Sequence, residues 1–284
     1  MGLIDWVKGL RGNVLYYPGC LIKGVLSQEF ENYKEIFNRL GIDFILLSDN
    51  APKGVPPAQM ASADADKVGK ICCGLPILNE GYRKDARKLA KKNLDLFKKH
   101  SVTKIVTSCP QCYYAFKEVY PKLMLEFDIE VEHATVTILE ALKKKRIRFR
   151  GSDEDREVVS YHDPCYLGRY SGIYDEPRKV IELVGGKIIE MKSNKENTFC
   201  CSGRINRNFP NVSNKIITER VKSIPLDATT PKGVPPAQMA SADADKVGKI
   251  ISPCGLCYAN LKSGTEKSIE FSTFVLGKLK EIRR

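Results

Sequence analysis

The chain has 284 residues and a formal net charge of +12, with 46 lysine and arginine residues against 34 acidic residues. This length allows one large domain or two domains of ordinary size. No window reaches the 18 apolar residues of a membrane span, and the N-terminus lacks the apolar core of a signal peptide, so we expect a soluble cytoplasmic protein. Ten cysteines in that compartment indicate metal or redox chemistry rather than a disulfide framework.

The positive charge raises the question of a nucleic-acid partner. Much of it lies in residues 83–99 and 143–150, where no aromatic residues interleave with the basic ones and no nucleic-acid-binding module is recognisable. We therefore expect a solvated basic face and no nucleic acid. Such a face would also suit the docking of an acidic redox partner such as a ferredoxin.

Hydrophobic periodicity and turn residues predict alternating strands and helices along the first half. The predicted elements are a strand at 13–17, a helix at 25–40, a strand at 42–47, a helix at 83–99, a strand at 104–107, a helix from about 111 and a helix at 137–145.

The second half repeats the alternation after a polar linker that begins at Gly151. Its predicted elements are a strand at 158–162, a helix at 176–183, a strand at 187–191, a helix at 211–222, a strand entering Cys254 and a helix at 272–282. We predict an α/β protein of two pseudo-symmetric halves, 1–150 and 151–284. Each is a small, mostly parallel sheet covered by helices, with cysteines in the loops after strands.

The cysteines fall into two sets of five with one order: a single cysteine, an adjacent pair and a C-x-x-C pair. The first set is Cys20, Cys72, Cys73, Cys109 and Cys112, and the second is Cys165, Cys200, Cys201, Cys254 and Cys257. Adjacent cysteines in a regular strand would point to opposite faces, so each pair can serve one centre only from an irregular turn. Buried structural thiols are the alternative for a lone pair.

Each set brings soft ligands from three separate loops. Four thiolates suffice for tetrahedral zinc or for an ordinary iron–sulfur cluster, and five exceed both. Thiolates select zinc, Cu(I) or iron–sulfur. The repeated order therefore predicts metal binding by all ten cysteines, with iron–sulfur in at least one half and zinc left open.

Several motifs resemble the cysteine-rich CCG-domain family. They are Pro18-Gly-Cys20, Cys72-Cys-Gly-Leu-Pro76, Ser108-Cys-Pro-Gln-Cys112, Tyr161-His-Asp-Pro-Cys165, Asn197-Thr-Phe-Cys-Cys201 and Ser252-Pro-Cys-Gly-Leu-Cys257. The resemblance runs from Asn13 onward. The family includes the B-type and D-type subunits of heterodisulfide reductase and the iron–sulfur subunits of glycolate and lactate oxidases, and the motifs look most like the D-type protein.

The resemblance implies that each complete set holds a non-cubane [4Fe–4S] cluster, giving one or two clusters, with zinc in the first set of some members. It also implies thiol–disulfide or electron-transfer chemistry on a small disulfide or similar substrate between the halves. D-type members carry a ferredoxin-like stretch before the first domain, and none is present here. We therefore expect a ferredoxin-like or flavin-containing electron-donor subunit. The family also continues its second Cys-Cys pair with glycines, where this chain has Cys201-Ser-Gly-Arg204.

A twenty-residue repeat interrupts the pattern, because residues 52–71 and 231–250 are identical. The copies are inserts at non-equivalent places, since 51 residues separate Cys20 from Cys72 but 34 separate Cys165 from Cys200. We expect both copies to be exposed loops. Deleting both should keep the fold and raise iron occupancy, although a functional repeat motif is the alternative.

Other side chains are weaker candidates for function. His162, beside Cys165, is a weak catalytic candidate that could donate to a sulfur or relay a proton, or could be structural. Asp163 is expected to cap the turn at Pro164. Arg169 and Arg204 suit either an anionic substrate or, more simply, salt bridges. The two remaining histidines are expected to be structural or on the surface, namely His100 and His133.

Two function classes remain open from the sequence. The first is an iron–sulfur oxidoreductase subunit, similar to heterodisulfide reductase B or D, that passes electrons to a disulfide or another acceptor. The alternative is a non-enzymatic, zinc-stabilised scaffold or assembly subunit.

Overall fold

The computed structural model describes residues 12–47, 72–223 and 247–282. The chain divides into two compact units, Met1–Thr137 and Ile138–Arg284. The domain boundary predicted after residue 150 stays a prediction.

The first unit holds a three-stranded parallel sheet of order β1-β2-β3. Its elements are β1 (Asn13–Tyr17), α1 (Cys20–Gly24), α2 (Ser27–Leu40), α3 (Leu75–Asn79), α4 (Arg83–Lys99), β2 (Val102–Thr107), α5 (Pro110–Tyr114), a π-helical turn (Ala115–Val119), α6 (Tyr120–Leu123) and β3 (Glu130–His133). Helix α7 (Ala134–Lys145) follows and runs across the division between the units.

Helices cover both faces of this sheet. Neighbouring residues of a strand point to opposite faces, so Tyr16 and Tyr17 of β1 pack against different helices. Tyr16 packs on the α2 side, edge-on against Phe37 at 5.0 Å between ring centroids. Tyr17 packs on the other side, against Phe116 at 4.8 Å and Phe97 of α4 at 6.3 Å. All five rings are buried, so aromatic residues pack on both faces of the sheet.

The second unit holds a four-stranded parallel sheet of order β5-β4-β6-β7. Its elements are β4 (Glu157–Tyr161), α8 (Asp175–Leu183), β5 (Gly186–Ile188), a 3-10 turn (Lys195–Asn197), α9 (Pro210–Lys222), β6 (Lys249–Ser252), α10 (Gly255–Lys262), β7 (Ser268–Glu270) and α11 (Phe271–Glu281). The two sheets correspond strand by strand, with β1, β2 and β3 in the places of β4, β6 and β7. The predicted fold class, two parallel α/β halves, is confirmed.

One predicted strand is reduced to a single bridge. In residues 42–47, Ile45 alone pairs, parallel, with Leu15 of β1. This is the place that β5 occupies beside β4 in the second unit. Leu46 stays 41% exposed, so the apolar run is not buried on both sides as a regular inner strand would be.

The inserted repeat lies mainly outside the described residues, apart from the end of its second copy. There the prediction of an exposed loop is wrong. Val247 and Ile250 are fully buried, and β6 begins at Lys249, inside the copy. Its last residue, Ile250, occupies a strand position between β4 and β7, where burial outweighs loop character.

No helix among residues 12–47, 72–223 and 247–282 is long and apolar enough to cross a membrane.

Candidate metal centres

The cysteines gather where the parallel strands end. Cys20 follows β1, Cys109 follows β2, Cys165 follows β4 and Cys254 follows β6. Because parallel strands end at one edge of the sheet, their following loops meet there. Cys109 and Cys254 also occupy the N-cap positions of α5 and α10. The hydrogen bond with Cys257 lowers the pKa of Cys254.

The structure brings the first set together in one place. Hydrogen bonds join the thiol of Cys73 to those of Cys72 and Cys112, and another joins Cys112 to Cys109. Cys20 comes close through Gly19, whose φ is +83°. A side chain at Gly19 would place its Cβ 2.8 Å from the Cβ of Cys109 and 3.3 Å from Sγ of Cys112. Glycine is therefore required for the Cys20 loop to meet the C-x-x-C loop.

Buried polar groups hold the backbone of the Cys72–Cys73 pair. Asn93 of α4 donates from Nδ2 to the Cys72 carbonyl at 2.9 Å, and Tyr120 of α6 donates to the Cys73 carbonyl at 3.1 Å. The same Asn93 also donates to the Tyr120 hydroxyl at 2.8 Å. This network replaces the ladder hydrogen bonds that an irregular turn lacks.

Crowded thiols shift one another's acidity in the first set. Burial, followed by the charge of Cys109, raises the pKa of Cys20 to about 12. The hydrogen bond from Cys112 lowers the pKa of Cys73, and the hydrogen bond with Cys109 raises the pKa of Cys112. Five thiols so placed cannot all ionise unless a cation neutralises them, because like charges at contact repel strongly in a buried site.

The second set forms a continuous chain of thiol contacts. Hydrogen bonds link Cys165 to Cys200, Cys200 to Cys201, Cys201 to Cys257 and Cys257 to Cys254. Cys200 is the one exposed cysteine of the ten, and the hydrogen bond from Cys165 is the main cause that lowers its pKa to about 2. The second set therefore presents its most acidic thiol towards solvent.

Serine replaces glycine in the second Cys-Cys turn without changing its conformation. Ser202 has φ +59°, in the same left-handed region as Gly74 at +79°. The two residues also donate alike from their amides, Ser202 to Sγ of Cys200 at 3.3 Å and Gly74 to Sγ of Cys72 at 3.4 Å. The Ser202 hydroxyl bonds with Ser213, and Asn260 bonds to the Cys201 carbonyl, which together hold the strained residue.

A buried arginine and a histidine adjoin the second set. Arg220 of α9 is fully buried and donates from Nε to Nδ1 of His162 at 3.2 Å. A ring nitrogen of His162 and the sulfurs of Cys201 and Cys257 all lie within 4.8 Å of one another. Burial, followed by the charge of Arg220, lowers the pKa of His162 to about 3.

The tautomer of His162 follows from its partner. Arginine can only donate, so Nδ1 must accept and the proton of the neutral ring lies on Nε2. Nε2 is buried and has no partner among the described residues. An N–H group is thus left for a sulfur or for a group bound at the cysteines.

The arginine brings a buried positive charge to the second set. Its other hydrogen bonds go to the Ser193 carbonyl and to the Thr198 hydroxyl, and no carboxylate pairs with it within the described part of the chain. Burial lowers the pKa of Arg220 to about 10, so it remains charged at neutral pH. A buried charge needs a counter-charge. The Asp163 carboxylate is the largest one acting on Arg220, followed by the thiols of Cys257 and Cys201.

The first unit has no such pair at the equivalent position. His162 precedes Cys165 by three residues, and Tyr17 precedes Cys20 by three. Burial, followed by the charges of Cys112 and Cys73, raises the pKa of Tyr17. Tyr17 therefore stays neutral, and the two centres differ in the charge beside them.

Asp163 has a structural role, and the predicted turn cap is not its main contact. Arg178 of α8 donates hydrogen bonds to both carboxylate oxygens of Asp163, at 2.7 and 2.9 Å, and also forms an ion pair with Glu190. The Lys195 amide donates to Asp163 at 2.9 Å. This buried pair fixes the loop that leads to Cys165.

The prediction that Arg169 and Arg204 form salt bridges is wrong within the described residues. Arg169 donates to the carbonyls of Thr198 and Glu196, and Arg204 donates to the Tyr166 hydroxyl at 2.9 Å. For Arg169, backbone carbonyls near Cys200 take the place of a carboxylate. Arg169 thus ties the Cys165 loop to the segment just before Cys200.

The other histidines are outside the cysteine sets. His100 is exposed, as expected. His133 is buried at the end of β3, where its Nδ1 bonds with the Thr135 hydroxyl at 2.8 Å. Burial lowers the pKa of His133 to about 3. Glu270 ends β7 in the corresponding place and accepts from the Ser272 amide, so both residues cap the helix that follows.

Sequence reasoning missed Arg220, Asn93 and Asn260. Arg220 lies in α9 and Asn260 in the short α10, and nothing in the local pattern marks either residue as buried. A signal existed for Asn93 alone, because it shares the apolar face with Leu89, Ala90 and Phe97.

The donor chemistry fits soft-metal centres in both units. In each unit the five thiols lie close enough to shift one another's pKa. The second unit adds the buried cation of Arg220 and the His162 ring, which has a nitrogen within 4.8 Å of the sulfurs of Cys201 and Cys257. Such a set suits an anionic metal-thiolate group.

Comparison with known proteins agrees with this arrangement. The cysteine-rich CCG domain matches residues 49–117 and 159–229. The D-type protein of the dihydromethanophenazine:CoB–CoM heterodisulfide reductase from Methanosarcina acetivorans is 28% identical over 264 residues, 90% of this chain and 55% of that protein. The EtfAB:quinone oxidoreductase of Syntrophomonas wolfei is 29% identical over 68% of this chain and 24% of its own length.

A third relative is the probable iron–sulfur-binding oxidoreductase FadF of Bacillus subtilis, 38% identical over 40% of this chain and 16% of its own. The chain spans about half the length of the Methanosarcina relative, and less of the other two. With one match in each half and a five-cysteine set in each, the chain carries two copies of the cysteine-rich CCG domain.

Proposed function

We propose that this chain is an iron–sulfur oxidoreductase subunit that takes electrons from a partner and delivers them to a disulfide or a similar acceptor. The observation that supports the proposal is the proximity of five thiols in each unit, which shift one another's pKa, with the buried charge of Arg220 beside the second set. The relatives named as oxidoreductases support the same class.

The ten cysteines would hold the cofactor. The first set would bind one cluster and the second set another, each of the non-cubane [4Fe–4S] type that the family resemblance implies. Such clusters, when bound, store and pass single electrons. Zinc in the first set is the competing occupant, because tetrahedral thiolate zinc needs only four of its five ligands.

The residues of the second unit support the acceptor chemistry. Reduction of a disulfide consumes two electrons and two protons and yields two thiols; the reduced partner supplies the electrons and solvent the protons. Cys200 is exposed, so an acceptor can approach this centre from solvent. Arg220 stabilises negative charge there, and its hydrogen bond fixes the His162 ring with Nε2–H free to donate.

Anaerobic purification followed by iron, sulfide and zinc analysis and by EPR spectroscopy tests the proposal. We expect iron and acid-labile sulfide, and oxidation of reduced methyl viologen when a small disulfide is added. A colourless protein that contains zinc but no sulfide would overturn the assignment in favour of a metal-stabilised scaffold.

A further inference from the structure

A groove with an excess of positive charge runs along the solvent side of α4 in the first unit. One wall is α4, with Arg83, Arg87 and Lys91 at four-residue intervals, so these side chains form one stripe. The other wall is the end of α6 and the turn after it, from Lys122 to Glu126. Lys84 adds a further cation to the lining.

Within the described residues, cations outnumber carboxylates in this groove. Five cations line it against one carboxylate, Glu126. Lys122 forms an ion pair with Glu118. The four cations that α4 contributes to the groove form no ion pair with any residue that the structure describes. Like charges four residues apart destabilise a helix, so the stripe is unfavourable until a negative surface meets it.

An apolar side chain stands among these charges. Leu125 is 99% exposed, and its neighbour Met124 is buried. A protruding leucine ringed by charge has the layout of a protein interface, in which a small apolar anchor lies within a polar rim. The groove lining contains no aromatic residue on which a nucleic-acid base could stack.

The same helices hold the first cysteine set on their inner sides. Ala86 and Leu89 of α4 belong to the same buried hydrophobic cluster as Cys72. Asn93 of α4 and Tyr120 of α6 hydrogen-bond the carbonyls of Cys72 and Cys73. A helix with its side chains is about 10–12 Å across, so one helix separates a partner in the groove from the thiols.

We propose that this groove is the docking surface for an acidic electron-transfer protein, which passes its electrons to the first cysteine centre. The inference rests on the proposed function for the electron-transfer step, but the docking itself does not require a loaded cluster. Each transferred electron leaves the reduced partner oxidised by one electron and the first centre reduced by one. Attraction between the basic groove and an acidic face speeds such encounters and makes them dependent on salt.

The test compares two triple variants of one helix that change the net charge equally. Arg83→Glu/Arg87→Glu/Lys91→Glu reverses the groove, and Lys88→Glu/Lys98→Glu/Lys99→Glu reverses exposed cations of α4 that do not line it. The probe is a small acidic ferredoxin. Its Kd is measured by calorimetry in 50 and 300 mM salt, and its electron transfer to the purified protein by stopped-flow absorbance.

We expect the groove variant to weaken ferredoxin binding at least tenfold in 50 mM salt and the matched variant to weaken it less than threefold. Added salt should weaken binding to the unaltered protein. Equal Kd values for the two variants would overturn the proposal, as would preference for duplex DNA or RNA over ferredoxin. Leu125→Glu, at a side chain that is 99% exposed, gives a second groove variant if the triple variant folds poorly, and it should also weaken binding.

Reduced methyl viologen separates this proposal from the proposed function. A small cationic donor does not need the groove, so it should reduce both triple variants as it reduces the unaltered protein. If viologen reduces none of them, the oxidoreductase assignment fails, while the Kd comparison still decides whether the groove binds the acidic protein.

Discussion

Arg220 and His162 are 58 residues apart in sequence, and inside the second unit the Nε of Arg220 donates to the Nδ1 of His162 over 3.2 Å. This one contact sets the tautomer of the histidine and brings a buried positive charge to the cysteines. The first unit has the neutral Tyr17 in the equivalent place. We therefore expect the two centres to differ in reduction potential, with the second centre the higher.

Arg220→Gln should lower the reduction potential of the second centre. Loss of a buried positive charge disfavours the added electron, and a shift of about 60 mV corresponds to a tenfold change for a one-electron couple. EPR-monitored redox titration measures both centres in one sample. Tyr17→Phe is the control, because it leaves the second unit intact. An unchanged second potential in Arg220→Gln would contradict the role given to this residue.

Serine substitutions in the C-x-x-C pairs should separate the two centres. Cys109→Ser removes a ligand from the first set, and Cys254→Ser removes the equivalent N-cap ligand from the second. Each variant should lose the iron and the EPR signal of its own set, about half of the total if both sets are loaded. Loss of both signals from either variant would show that the sets are not independent.

Arg178→Met should destabilise the second unit strongly. It leaves the buried carboxylate of Asp163 without its cation, and breaking a buried pair in this way costs about 3–5 kcal/mol. Lys187→Met, which breaks the exposed pair with Asp153, should change the free energy of unfolding far less, because solvent screens an exposed ion pair. Urea unfolding of both variants measures the difference. Similar losses for the two would show that the Arg178 pair contributes no more than a surface contact.

Stability should fall in mild acid partly because of His133. Its pKa is about 3 in the folded protein against an ordinary value of 6.5, since burial disfavours the charged ring. Between these values the unfolded chain binds more protons, so stability is complete above pH 6.5 and is lost as the pH falls towards 3. The limiting slope is about 1.4 kcal/mol per pH unit for one group.

The control for this effect is His133→Gln, which cannot titrate. Urea unfolding at pH 7.5 and 5.5 should show a larger loss for the unaltered protein than for the variant. Identical losses would mean that His133 does not contribute to acid sensitivity.

Local pattern predicted most of the regular elements. Helix 83–99 has the predicted ends, because its apolar residues recur at helical spacing and Lys98 and Lys99 close it. The short edge strands β3 and β7 were missed. Glu130–His133 and Ser268–Glu270 have only four and three residues, and polar side chains within them hide the pairing with β2 and β6.

The sequence by itself determined the α/β class, the two five-cysteine sets and the strand ends near which they lie. Each of these features follows from the local spacing of residues or from hydrophobic periodicity. Only the tertiary structure decided the surroundings of those sets. It placed Arg220 against His162, Asn93 beneath Cys72, and the end of the repeated segment inside β6. The physical reason is that burial and charge pairing depend on which distant segments pack together, and a local sequence pattern does not determine that packing.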